Sequence, residues 1–220
     1  MTRSFLPTAA VTSALAAAAV LLAGCGGGSG GSKTIDSSDR TTTSAAAPTQ
    51  TATATPSDQA KGPSTALPKD LTMTFDWPST GDATKDAVLD GGRQYLKAYN
   101  RAAAAHDLKD PAYQFYSRDD ALTYARDQIN QNIKDDLAPT GLDRYYSATV
   151  SDVQAGSATL SFCEDQSKSY SKEVKTGKVL VTTPSIDDYY QYNLLLFKDT
   201  SNGVWQASKI TVLEAPKCKR

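Results

Sequence analysis

All eleven tyrosines and both tryptophans of this 220-residue chain lie beyond residue 70. That partition constrains the fold more than any other feature, because a core needs large apolar side chains to offset the entropy of ordering the chain. Residues 1–70 contain no Glu, and after Leu22 their only large aliphatics are Ile35 and Leu67. The foldable part is therefore about 150 residues, the size of one domain with one core. Charge beyond residue 70 is nearly balanced, and no Lys/Arg run or basic stripe occurs there. The electrostatic footprint of nucleic-acid binding is thus missing.

The N-terminus carries a targeting pattern. Arg3 precedes an apolar, Ala-rich stretch from Ala9 to Ala23, broken by Thr12-Ser13. It is too short for a stable spanning helix and suits a secretory signal. No later stretch of roughly 18 apolar residues offers a membrane span. The signal ends in Leu22-Ala23-Gly24-Cys25, which resembles the lipobox of bacterial lipoproteins. The resemblance implies cleavage before Cys25 and a diacylglycerol on its sulfur. It places the chain on the outer face of the cell membrane, held there by lipid. Each buried CH₂ contributes about 0.8 kcal/mol, and two or more acyl chains make such anchoring stable. Residues 26–70 are Gly/Ser-rich and then Thr/Ala/Ser/Pro-rich, the composition of a disordered tether or of an O-glycosylated stalk. They extend to roughly 150 Å when stretched and average about 35–40 Å as a coil. The expected organisation is a signal peptide at 1–24, lipidated Cys and tether at 25–70, and a domain at 71–220.

Within the domain, helical periodicity comes first and strand periodicity second, the order of an α+β fold. Val88, Gly92, Tyr95, Tyr99 and Ala102 form one stripe of a helix from Asp82 to His106. Asp110-Pro111 reads as an N-cap followed by Pro at the first helical position. Ser117-Arg118-Asp119-Asp120 reads as a capping box opening a second long helix that Pro139 and Gly141 end. From Leu142 the period becomes two. Tyr146, Ala148 and Val150 alternate with polar residues, as do Ala158, Leu160 and Phe162 across an Ala155-Gly156 turn. Short strands at 170–175 and 178–182 flank Thr176-Gly177, and a long strand covers 187–198. The last strand, 204–214, changes phase near Ser208, which predicts a bulge.

This order of elements resembles the NTF2-like (cystatin-like superfamily) domains, and more narrowly the secreted NTF2-like lipoproteins of actinobacteria. The resemblance is carried by Tyr95-Leu96-Lys97-Ala98-Tyr99-Asn100-Arg101-Ala102, by Phe162-Cys163-Glu164-Asp165-Gln166-Ser167, by Thr176-Gly177 and by Gly203-Val204-Trp205-Gln206-Ala207. It implies helices packed on a curved antiparallel sheet, a cone that binds a small apolar ligand or an envelope protein. The expected ligand-facing residues are Tyr95, Tyr99, Tyr190 and Tyr192. No cofactor, metal or nucleic acid is expected. Some relatives in that superfamily are isomerases, cyclases or dehydratases with an Asp base and a Tyr donor in the cone. Here Asp187 or Asp188 with Tyr99 and Tyr192 would be the corresponding groups. The alternative reading of these tyrosines is an amphipathic core and rim, and Glu164-Asp165 read as solvated turn residues.

With Cys25 taken by lipid, Cys163 and Cys218 remain, and an oxidising compartment favours their pairing. No Cys-x-x-Cys spacing supports a redox pair. The single histidine, His106, sits where a helix C-terminus favours a cation, and no nucleophile-elbow motif accompanies it.

Overall fold

The computed structural model describes residues 62–220. The expected signal peptide, Cys25 and most of the expected tether lie outside the described residues. The fold class is the expected α+β, with helices packed on one face of a curved sheet. The order is β1 (Leu71–Asp76), α1 (Ala83–Ala105), α2 (Pro111–Tyr116), α3 (Asp119–Asp135), β2 (Leu137–Ser151), β3 (Ser157–Glu173), β4 (Val179–Leu180), β5 (Tyr189–Lys198) and β6 (Trp205–Glu214). The sheet runs β1-β2-β3-β5-β6, with β4 added to the far end of β3. It is open, because β1 and β6 do not pair. It is antiparallel except for β1, which runs parallel to β2.

The helices begin where the capping residues stand. Asp82 accepts hydrogen bonds from the N–H groups of Thr84 and Lys85 at the start of α1. His106 closes that helix in the left-handed conformation, φ 53°, with its ring Nε2 2.8 Å from Leu137 O. Asp110 caps α2 with Pro111 at its first turn. Its buried carboxylate also pairs with Arg101 of α1, which ties the two helices together. Gly91 and Gly92 bring α1 directly onto the sheet. A Cβ at Gly91 would lie 2.6 Å from Trp205 O, and one at Gly92 would lie 2.4 Å from Leu160 Cδ2.

Several local expectations are corrected. The capping box at 117–120 does not form. Ser117 is buried and its Oγ donates 2.5 Å back to Tyr113 O, while Asp119 accepts from Ser208 Oγ at 2.7 Å. Helix α3 ends at Asp136 in the left-handed region. Pro139 and Gly141 therefore sit inside β2, where sheet pairing overrides their breaker tendency. β3 is one continuous strand of 17 residues where two short ones were expected. The strand expected at 187–198 starts at Tyr189, because Ile186–Asp188 form a 3₁₀ turn. β1 was not expected as a strand. Residues 62–70, assigned to the tether, include the buried Thr65, whose hydroxyl donates to Gln94 Oε1 at 2.6 Å.

Bulges set the curvature. Pairing of β2 with β3 shifts between Leu142 and Arg144 and again between Tyr146 and Thr149, where Ser147 has φ 52°. The second shift reverses the phase, so Tyr145 joins Ala148 and Val150 on the core side and Tyr146 turns to the outer face. The β5–β6 pairing skips Ser208, as its sequence phase predicts. Each bulge increases local twist and bends the strand, wrapping the sheet around α1.

Candidate functional site

The inner face of the sheet is aromatic at its centre and acidic toward one end. Trp77, Tyr145, Phe162 and Tyr192 pack ring to ring, with Phe162 and Tyr192 stacked at 5.1 Å and Trp77 and Phe162 at 5.0 Å. Beyond them the alternation Ala158, Leu160, Phe162 continues to Glu164, which is 1 % exposed. Asp143, next inward position to Tyr145 on β2, is 4 % exposed. Tyr99 reaches the same region from α1, beside Tyr95 at 5.6 Å and Tyr124 of α3 at 6.3 Å.

Burial controls the chemistry of these carboxyls. Loss of water pushes Glu164 up to about 8, with the nearby charge of Asp143 adding to the effect. Burial likewise raises Asp143 to about 6, opposed by the Ser169 hydroxyl and assisted by the charge of Asp165. The hydroxyls of Tyr145 and Tyr192 and the amide of Gln166 face Glu164 and draw it partway back. Gln166 Nε2 makes a full hydrogen bond to Oε2 at 2.7 Å. The Tyr145 hydroxyl, although close, stands short of hydrogen-bond geometry. Together with Asp143 Oδ1 it is a buried polar group without a partner among the described residues. Tyr99, Tyr145 and Tyr192 all hold their protons far above the ordinary phenol range, through burial first. The cluster thus presents phenol donors beside two carboxyls that burial biases toward their neutral form, Glu164 more than Asp143.

The four tyrosines expected to face a ligand divide. Tyr99 and Tyr192 meet at the Glu164 cluster, and the electrostatic influence of Glu164 reaches both. Tyr95 is fully buried and spends its hydroxyl on Ala121 O at 3.1 Å. Tyr190 is half-buried on the same side of β5 as Tyr192. Asp187 and Asp188 are not in the interior. Asp187 is exposed, and Asp188 caps the 3₁₀ turn by accepting from Ser185 N at 2.5 Å. Glu164, read as a solvated turn residue, is the buried centre of the cluster. The period-two alternation from Ala158 was the signal that could have found it. Cys163 and Cys218 form the expected disulfide, with Cα atoms 5.6 Å apart. It pins the C-terminal tail to the outer face of β3.

No known family profile matches the sequence, and no curated protein matches it. Solved structures do. A ketosteroid isomerase-like protein from Erwinia carotovora atroseptica is 19 % identical over 58 % of this chain and 92 % of its own, with a TM-score of 0.40. The intermembrane space region of the chloroplast protein ARC6 is 14 % identical over 63 % of this chain and 100 % of its own, with a TM-score of 0.38.

Proposed function

We propose that this chain is a lipoprotein, anchored through Cys25 on the outer face of the cell membrane, whose NTF2-like domain binds a small ligand without transforming it. The observation that carries the binding reading is two of the three buried polar atoms without a partner among the described residues, Asp143 Oδ1 and Tyr145 Oη beside Glu164, the third being Trp77 Nε1. Buried polar atoms in native proteins nearly always have partners, and each one left unmade costs about 1–3 kcal/mol. A ligand with one donor and one acceptor, and an apolar body lying against Tyr99 and Tyr192, would satisfy both. Native mass spectrometry of the mature chain tests this. The expected spectrum contains a small-molecule adduct beyond polypeptide and lipid, and the Glu164→Gln protein lacks it. A spectrum holding the lipidated polypeptide alone overturns the binding reading. Anchoring has its own test, since Cys25→Ser should move the protein from the membrane fraction to the medium.

A second reading has one specific observation behind it. Burial raises both Glu164 and neighbouring Asp143, Glu164 the further, and two carboxyls pushed apart in this way suit an acid and a base. Proton transfer α to a carbonyl is the reaction such a pair performs, with Asp143 rather than Asp187 or Asp188 as base. Deuterium exchange at the α-carbon of a cyclic enone separates the readings. Exchange accelerated by the wild-type chain and not by Asp143→Asn establishes catalysis.

A further inference from the structure

A second feature opens on the outer side of the sheet and shares Tyr145 with the interior cluster. A groove of about 580 Å³ runs across β1, β2, β3 and the start of β5, within the size range of small-molecule sites. Arg144, Tyr146, Asp165, Lys168, Tyr189 and Arg220 line it.

Its charges are unevenly committed. Asp165 Oδ1 accepts from Ser167 N at 2.9 Å, and its Oδ2 stands 3.6 Å from Arg144 Nη1, too far for a hydrogen bond. Asp76 pairs with Arg220 at 3.1 Å. The exposed Lys168 has no ion pair among the described residues. The Lys168 ammonium is therefore available to an incoming anion, and Arg144, although ion-paired with Asp165 at 3.6 Å, keeps its guanidinium N–H groups for one. The half-buried Tyr189 ring supplies flat apolar wall beside them, while the Tyr146 ring is 5 % exposed and lies under Arg220.

One wall is the C-terminal tail. Tyr146 pairs in register with Cys163, the disulfide partner of Cys218. The Tyr146 hydroxyl donates to Cys218 O, Ala215 N donates to Tyr189 O at 2.9 Å, and the Arg220 guanidinium lies 3.8 Å over the Tyr146 ring. The tail forms no strand and adds only Ala215 and Cys218 to the buried residues. What the disulfide positions is the Tyr146–Arg220 edge of the groove.

We propose that this groove binds a small organic anion, a carboxylate or phosphate monoester on a planar body, with the head at Arg144 and Lys168 and the body against Tyr189 and the Arg220 wall. The disulfide keeps the Arg220 wall in place. Guanidinium forks match both heads in a bidentate manner.

Titration of the oxidised mature chain with benzoate and with phenyl phosphate, followed by calorimetry, tests the proposal, with benzyl alcohol as the uncharged control. At least one anion should bind saturably and about tenfold more tightly than benzyl alcohol, the factor expected for one charge-assisted hydrogen bond. The stronger of the two identifies the head group. Lys168→Gln, a change at an exposed side chain, and Arg144→Gln should each weaken that anion about tenfold. Cys218→Ser should do the same while the far-ultraviolet circular dichroism stays that of the wild type. Absence of binding by both anions overturns the proposal. So do equal binding of benzyl alcohol and an affinity that Lys168→Gln and Arg144→Gln leave unchanged. Unchanged affinity in Cys218→Ser overturns the role of the tail.

Discussion

Glu164 sets the pH response of the molecule. Its folded-state value, about 8, lies above its ordinary value of 4.5. The folded chain therefore keeps a proton that the unfolded chain releases. Stability is highest below about pH 4.5 as far as this group is concerned, falls as pH rises toward 8, and is flat above that. Asp143 acts with the same sign over a lower window, from 3.8 to about 6. Urea midpoints should accordingly decline between pH 5 and pH 8, by an amount worth on the order of 1–4 kcal/mol. Glu164→Gln, which keeps the shape and removes the titration, should flatten most of that decline; an equally steep profile in the variant would assign it elsewhere. Part of this cluster was legible in the sequence. Tyr99 and Tyr192 lie on clear apolar stripes, and both reach it. The alternation from Ala158 points Glu164 inward, but a charged letter reads as solvated, and Asp143 carried no such signal. Nothing in a linear pattern shows that burial will hold a carboxyl neutral.

Among the elements, both ends of α1 and the start of α2 were readable, while the two ends of α3 and the strand ends were not. Asp82 and Asp110 accept from N–H groups two or three positions away, and Pro111 fixes its own φ, so their effect is local and visible in sequence. The bounds of β2 and β3 depend on partners far along the chain. Leu137 pairs with Glu173, and Pro139 with Ser171, so long-range pairing carried β2 through residues that looked like breakers. The bulge at Ser208 was readable because it reverses an alternation within one strand. Helix α1 offers a test in which two local effects oppose each other. Gly91→Ala gains about 1 kcal/mol in helix propensity, but the new methyl meets the Trp205 carbonyl at 2.6 Å. Overpacking of this kind costs about 1–3 kcal/mol. Thermal or urea unfolding should show net destabilisation. A more stable Gly91→Ala protein would mean that α1 does not sit this close to β6.

At the scale of the whole molecule, the expected Cys163–Cys218 pairing is present, and it closes a loop with a sequence separation of 55. Thiol counting on unreduced mature protein should find no free cysteine. Replacing both residues by Ser should lower unfolding stability by about 2–5 kcal/mol. The architecture, helices on a curved sheet, was legible because the change of period at Leu142 divides the chain by itself. The N-terminal edge was not. Composition assigned residues 62–70 to the tether, yet Thr65 is bonded to Gln94, and Leu71 N closes a turn on Pro68 O at 3.2 Å before β1 begins. That short stretch has a mechanical consequence. A pull arriving along the backbone from the N-terminal side meets the packing of Gly62 on Phe115 and Tyr116 first, then the Thr65 contact and the Pro68–Leu71 turn. Only then does it load the parallel β1–β2 ladder. These contacts stand in series ahead of the sheet, so each must break before tension reaches its ladder.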